Sequence, residues 1–206
     1  MFPAPLLVAG ALRICLVPVG PHDADLVDTA RRGIEFLYGL PVATLRAIPM
    51  PDAAWYAPRK RYRAEKILAH LDAEVVPGSP CERVIGLTAV DISTTKGKHV
   101  DWGILGLANI GGPSGVVSSF RVGKTPPRRR AMRFVKVVNH ELGHALGMDH
   151  GGAPGCLMND AGGTVKTVDR ESGLLCDPER KAIEAQNGVA LPRRDVFDWA
   201  AVLGAP

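Results

Sequence analysis

Apolar residues along the first half of the chain alternate between short continuous runs and stretches with a helical period. The run at 13–19 is almost wholly apolar, which is typical of a strand buried on both faces. At 23–38 the apolar residues recur every three or four positions and form one face of a helix. The same two patterns give the remaining elements. We predict strands at 13–19, 42–48, 84–92, 103–108 and 116–122, and helices at 23–38, 59–73, 131–146, 178–187 and 194–203.

The order of these elements predicts the fold class. Strands and helices alternate early and helices close the chain, which is typical of an α/β fold with a mostly parallel twisted sheet backed by helices. With 206 residues and 46% hydrophobic composition, we predict one domain over 1–206. An upper lobe at 1–147 carries the sheet and the helix at 131–146, and a small, irregular and helical lower lobe follows at 148–206. Polar residues at 94–100 predict a loop.

The run from His140 to His150 is the most informative part of the sequence. His140 and His144 are four residues apart and therefore lie one turn above each other on one helical face. Two imidazoles so placed can both reach one Zn²⁺ at roughly 2.0–2.1 Å. Gly147 can take the left-handed conformation that ends a helix, and the turn lets His150 approach as a third nitrogen ligand.

Glu141 gives this predicted metal site a chemical function. It projects beside the metal, where it can take a proton from an attacking water and pass it to a leaving amine. Three protein ligands leave the fourth zinc position open, which is typical of a catalytic site rather than a structural one. The alternative is a helix with two solvated His residues. The pattern HExxHxxGxxH fixes five positions and favours the metal site.

The same pattern resembles that of the metzincin metallopeptidases, and the residues after it resemble the archaemetzincins. That family carries a Cys directly after the third His, then a second Cys, a Met two positions beyond it, and a closing CxxC. Cys156, Met158 and Cys176 stand in register with these positions. Three upstream segments also resemble family strands: 16–20, 86–91 and 102–108.

This resemblance implies a metzincin-like zincin fold, a peptidase activity and a peptide or protein substrate. It also implies that Met158 forms an apolar floor beneath the three His residues, the alternative being an ordinary core methionine. The strand at 103–108 is expected at the edge of the substrate cleft, where an extended peptide could pair with it. A strand inside the sheet, paired on both sides, is the alternative.

Two departures from the family pattern concern a second zinc site that the family builds from four Cys residues. Gly151 stands where the first Cys is expected, and Glu179 replaces the last Cys of the closing CxxC. Two thiolates with one carboxylate match structural zinc sites poorly. We therefore predict one catalytic zinc and no second ion.

The two remaining Cys residues, Cys156 and Cys176, are expected to lie close together by the resemblance. Two buried thiols are favoured over a disulfide if the protein stays in a reducing cytosol. Asp177 is expected to cap the helix that follows, with Pro178 at its first position and Glu179 near the positive end of its dipole.

Net charge and the N-terminal segment bear on partners and location. The chain has a net charge of +4, and its basic loop at 124–130 contains no aromatic residue. We expect no nucleic-acid partner, although a protein that binds nucleic acid through 128–130 is the weaker alternative. Residues 1–20 are apolar but lack a basic residue before the apolar run, so we expect neither a signal peptide nor a membrane segment. The predicted location is cytoplasmic.

These observations predict a zinc metallopeptidase in which His140, His144 and His150 hold the metal and Glu141 is the general base. Gly147 and Met158 support the site. The alternative from another class is a zinc- or peptide-binding module with weak or no hydrolysis, which the missing Cys pair motivates. Peptide preference, the choice between endo- and exopeptidase action, and the oligomeric state do not follow from these residues.

Overall fold

A five-stranded, mostly parallel sheet forms the centre of the protein. The computed structural model describes residues 12–151, 153–160, 162 and 164–204. The strands of this sheet are β1 (Ile14–Pro18), β2 (Val42–Thr44), β5 (Arg83–Thr88), β8 (Gly106–Ala108) and β9 (Ser114–Ser118). Their order is β2-β1-β5-β9-β8, with β8 antiparallel to β9 at one edge and the others parallel. The predicted α/β class with a mostly parallel sheet is confirmed.

A second, four-stranded sheet was not predicted. It comprises β3 (Trp55–Tyr56), β4 (Arg61–Arg63), β6 (Ile92–Lys96) and β7 (His99–Ile104), in the order β3-β4-β6-β7. The polar loop predicted at 94–100 is wrong, because β6 and β7 form a hairpin there that turns at Gly97 with a φ of +56°. The hairpin exposes much of both faces, so its sequence lacks the apolar alternation of a half-buried strand.

The two longest helices pack against each other over the site region. They are α1 (Ala24–Tyr38) and α3 (Pro127–Ala145). Gly33 permits the close approach, because a β-carbon there would lie 2.5 Å from a methyl group of Val135. The hydroxyl of Tyr38 donates a hydrogen bond to the Asn139 carbonyl at 2.6 Å. The helix α3 is therefore held in place one residue before His140.

The helix predicted at 59–73 is only partly correct. Helix α2 covers Ala64–His70 and continues into a wider turn at Leu71–Val75, whereas its predicted start forms β4. The reason is electrostatic. Arg61, which is 8% exposed, pairs with the carboxylates of Asp91 and Asp101 rather than facing water. These ion pairs therefore hold β4 in place as a strand of the second sheet.

Other predicted boundaries shift where side chains satisfy the backbone. The strands predicted at 84–92 and 116–122 end at Thr88 and Ser118. Ser118 donates to the Val90 carbonyl and accepts the Phe120 N–H, which favours a turn over a longer strand. The strand predicted at 42–48 ends at Thr44, apart from one bridge. The strand predicted at 103–108 is divided between β7 and β8.

The chain after α3 contains three short helices, α4 (Val165–Arg170), α5 (Asp177–Asn187) and α6 (Trp199–Leu203). Helix α4 was not predicted, since six residues are too few to show a period. Helix α6 begins later than predicted because Asp198 caps it, accepting two backbone N–H groups at 3.0 Å. One apolar cluster joins α1 and α3 to residues of this last part, including Leu157 and Ile183. The division into lobes at 147 and 148 stays a prediction.

No helix among the described residues is long and apolar enough to cross a membrane. The segment 1–11 lies outside the described residues, so the expectation about a signal peptide is untested there. The buried strand predicted at 13–19 is confirmed, since Ile14 to Val17 are fully buried in β1.

Candidate metal centre

The structure brings together the three His residues that the sequence predicted as ligands. His140 and His144 lie one turn apart on α3, and His150 returns to them after the helix ends. The ring centroids are 4.6 Å apart for His140 and His144, 4.7 Å for His144 and His150, and 5.3 Å for His140 and His150. One nitrogen from each ring lies within 4.8 Å of the other two.

Backbone carbonyls orient the first two imidazoles. The Nδ1 atom of His140 is 2.8 Å from the Leu157 carbonyl oxygen, and that of His144 is 2.7 Å from the Met148 carbonyl oxygen. A carbonyl oxygen only accepts, so each Nδ1 carries the proton and each Nε2 keeps its lone pair. Burial lowers the pKa of His140 to about 4 and also lowers the pKa of His144, so both rings are neutral ligands at neutral pH.

The two Nε2 atoms point at each other across 3.0 Å. Two lone pairs this close repel unless a cation lies against both. The donor set therefore fits a metal ion, and three imidazole nitrogens suit zinc. Asp149 and Asp160, which also line this region, accept backbone N–H groups from His150 and Gly162.

Gly147 ends α3 in the predicted way. Its φ is +99°, and a β-carbon there would collide with the Gln186 side chain. The turn is closed by the Gly147 N–H, which donates to the His144 carbonyl at 2.9 Å, and by the Met148 N–H, which donates to the Gly143 carbonyl at 3.0 Å. The same turn presents the Met148 carbonyl to His144. Gly147 therefore lets the chain reach His150 and also places the carbonyl group that orients His144.

Met158 is fully buried beneath the His-bearing part of α3. Its thioether packs against Gly143, where an added β-carbon would lie 3.0 Å from the Met158 methyl. The preceding residue, Leu157, supplies the carbonyl that orients His140. The segment around Met158 therefore contacts the site from below and holds one imidazole in place, which is the position expected for an apolar floor.

Glu141 lies between α3 and the edge strand β8. It is 7% exposed, and burial raises its pKa to about 8. A cation held by the neighbouring imidazoles would lower this pKa again. Gly106 of β8 makes the space, because a β-carbon there would lie 2.5 Å from Cγ of Glu141. Gly106 was not among the residues predicted for the site, although a glycine inside a short strand is a signal of close approach.

A cavity of about 290 Å³ opens over these residues. Its floor is α3, one wall is β8, and the hairpin of β6 and β7 forms part of its rim. Gly106, Leu107 and Ala108 line it from the strand at the end of the five-stranded sheet. The expectation that the segment at 103–108 reaches the cleft edge is confirmed for β8.

The second cluster of possible ligands is Cys156, Cys176 and Glu179. The two sulfurs are bonded to each other, so the expectation of two free thiols is wrong. Their Cα atoms are 5.5 Å apart, a separation that suits a disulfide. Neither sulfur is then a thiolate, and the cluster does not fit a structural zinc site. A second disulfide, which we did not predict, joins Cys15 and Cys81.

Glu179 contributes to the start of helix α5. Its carboxylate accepts the backbone N–H of Cys176 at 2.9 Å, so Cys176 is the capping residue of α5. The expectation that Asp177 caps this helix is wrong by one residue, because the Glu179 carboxylate already satisfies the N–H at position 176. Pro178 accordingly stands at the second helical position instead of the first.

Comparison with known proteins agrees with this geometry. The model of the family described as "Peptidase family M54" matches residues 38–185. The chain belongs to peptidase family M54. The archaemetzincin of Natronomonas pharaonis is 31% identical over 174 residues, which cover 80% of this chain and 95% of that protein. The archaemetzincin of Haloquadratum walsbyi is 30% identical, with 78% and 93% covered.

Solved structures of archaemetzincins extend the agreement to the fold. The crystal structure of archaemetzincin from Methanopyrus kandleri superposes with a TM-score of 0.77 at 25% identity, covering 89% of this chain and all of that one. The archaemetzincin of Archaeoglobus fulgidus, complexed with malonate, gives a TM-score of 0.71 at 26% identity, with 82% and 99% covered. The resemblance to archaemetzincins and the prediction of a zinc metallopeptidase are both confirmed at the level of the family.

Proposed function

We propose that His140, His144 and His150 hold a single zinc ion and that Glu141 is the general base and acid of peptide-bond hydrolysis. The observation that carries this proposal is the pair of facing Nε2 atoms, 3.0 Å apart, whose Nδ1–H groups are already committed to carbonyls. A metal ion bound by both nitrogens would relieve the repulsion between their lone pairs. Membership of a peptidase family supports the same reaction.

In a site of this kind zinc acts as a Lewis acid, which makes a water molecule more acidic and polarises the scissile carbonyl. Glu141 takes one proton from the attacking water as the water oxygen bonds to the carbonyl carbon. It then gives that proton to the amine nitrogen as the carbon–nitrogen bond breaks. The products are a carboxylic acid and an amine. Burial against Gly106 keeps bulk water from competing for the carboxylate.

The substrate is a peptide or protein segment, and β8 offers it a place to bind. This strand pairs only with β9 among the strands in the described parts of the chain, so its other side faces the cavity. An extended segment can add to that side through backbone hydrogen bonds without a particular side-chain sequence. The carbonyl to be attacked would then lie over Glu141, which packs directly against Gly106 of this strand.

A single zinc per chain is part of the proposal. The sulfurs of Cys156 and Cys176 are used in a disulfide, and Glu179 is used in capping α5. These interactions connect the segment just before Met158 to the start of α5 without a second ion. The absence of a nucleic-acid partner and the cytoplasmic location stay predictions.

Peptide profiling by mass spectrometry tests this function. The zinc-loaded protein is incubated with a diverse peptide mixture, beside Glu141→Ala and His144→Ala. We expect cleavage by the wild type only, zinc retained in Glu141→Ala and zinc lost in His144→Ala. Equal cleavage by the wild type and Glu141→Ala would remove Glu141 from the mechanism. Retained zinc with no cleavage by the wild type would favour the binding module instead.

A further inference from the structure

The cavity continues beyond the metal site along α3. Lys136 precedes His140 by four residues and therefore lies on the same helical face, roughly 6 Å further along the axis. Val137 lines the path between them, and Val168 and Glu171 close the far end from α4 and the residue after it. The result is a recess with apolar walls and two ionisable groups at its end.

Lys136 has a structural role in this recess. Its side chain is nearly buried, and its ammonium donates to the backbone carbonyls of Val168, at 3.0 Å, and of Glu171. These bonds fix the C-terminal end of α4 against α3. The hydrogen bonds of the ammonium go to these carbonyl oxygens, and among the described residues it makes none to the carboxylate of Glu171.

Glu171 is the group in this recess whose burial is not explained by a hydrogen bond of its side chain. It is 5% exposed, and its Oε1 atom has no hydrogen-bond partner in the part of the chain that the structure describes. Buried polar groups in proteins are normally paired, because leaving a carboxylate unpaired costs several kcal/mol or forces it to take up a proton. An unpaired carboxylate in the wall of a substrate cleft is therefore a candidate for ligand recognition.

We propose that Glu171 selects substrates with a lysine or arginine side chain beside the scissile bond, which enters the recess and pairs with its carboxylate. This inference rests on the proposed function. The walls formed by Val137 and Val168 suit the methylene stem of such a side chain, while the charged end reaches Glu171. An acidic side chain would meet Glu171 and Asp160 with the wrong sign, and the Lys136 ammonium is already engaged.

Pairs of peptides that differ in the charge of one side chain test this proposal. Each lysine peptide is matched by one with norleucine, which keeps the four-carbon stem but lacks the amine, and each arginine peptide by one with citrulline. We expect the wild type to prefer the charged member by roughly tenfold in kcat/KM. Glu171→Gln should reduce this preference to within about threefold, chiefly by lowering kcat/KM for the lysine and arginine peptides. Glu74→Gln, an exposed glutamate elsewhere, is the matched control.

Binding to the zinc-loaded Glu141→Ala variant gives a second readout that does not need turnover. The lysine peptide should bind more tightly than the norleucine peptide, and the difference should vanish in Glu141→Ala/Glu171→Gln. An equal preference in the wild type and Glu171→Gln, or a preference for acidic peptides, would overturn the role of Glu171. No cleavage by the wild type would contradict the proposed function alone, since the binding comparison still decides the role of Glu171.

Discussion

The carboxylate of Glu179 occupies the space that any side chain at Gly151 would need. A β-carbon on Gly151 would lie 2.7 Å from Oε1 of Glu179. These are the two positions at which the chain departs from the Cys pattern of the archaemetzincins. The two departures are thus coupled in space: a carboxylate larger than a thiol fits position 179 because position 151 has lost its side chain altogether.

Gly151→Ala should consequently destabilise the protein by about 1–3 kcal/mol, because it overpacks a site that cannot expand freely. The same change should be much less costly in a Glu179→Ala background, where the carboxylate is gone. Urea unfolding of the two single variants and the double variant measures the coupling. Strictly additive effects would show that the two residues do not compete for the same space.

Because the sulfurs of Cys156 and Cys176 are bonded to each other, we propose that they bind no second zinc ion. Zinc analysis of protein purified without added metal should give one ion per chain, and His144→Ala should remove it. Cys156→Ser/Cys176→Ser should leave the zinc content unchanged but lower the free energy of unfolding by roughly 2–4 kcal/mol, as expected for loss of a cross-link. Two ions per chain, one of them lost with the Cys residues, would contradict the single-zinc proposal.

Gly106→Ala tests the packing of the general base. The added methyl group collides with Glu141, so the carboxylate must turn away from its position while the His residues stay in place. We expect at least a tenfold loss of kcat/KM with unchanged zinc content, in line with the sensitivity of catalysis to small displacements. Gly78→Ala is the control, since no atom lies within 4 Å of a β-carbon there. Loss of zinc in Gly106→Ala would instead indicate a general disruption of the site.

Glu171→Gln should stabilise the protein in a pH-dependent way. The ordinary pKa of this carboxyl is 4.5, and burial raises it to about 7 in the folded state. The folded protein therefore binds the proton more tightly, so stability falls as pH rises from 4.5 to 7 and stays lower above that. The variant lacks this loss and should be more stable than the wild type at pH 8.5 by ~1–3 kcal/mol, with a smaller difference at pH 5. Denaturant unfolding at both pH values measures it, and a difference that does not change with pH would contradict the pKa shift.

The sequence was sufficient for the parts of the site that depend on local spacing. The four-residue interval between His140 and His144 places both on one helical face. Glycine, which stands at position 147, is among the few residue types that permit the turn to His150. The inner strands β1 and β5 were predictable because they are buried on both faces and read as mainly apolar runs.

The features that could not be predicted from the sequence depend on contacts between residues far apart in the chain. The strand β4 replaces a predicted helix because Arg61 pairs with Asp91 and Asp101 across the second sheet. Gly106 and Glu141 are separated by 35 positions yet share one space. The recess at Glu171 requires α3 and α4 to meet, and no periodic pattern in either segment indicates that meeting.

The free side of β8 has a consequence for which targets can be cleaved at all. A strand edge accepts only a backbone that is itself extended and has its own N–H and C=O groups unsatisfied. A segment held in a helix, or already inside a sheet, cannot meet that requirement. The cleft would therefore respond to the conformation of its target before its sequence, and a folded protein would escape cleavage until local unfolding releases a stretch of chain.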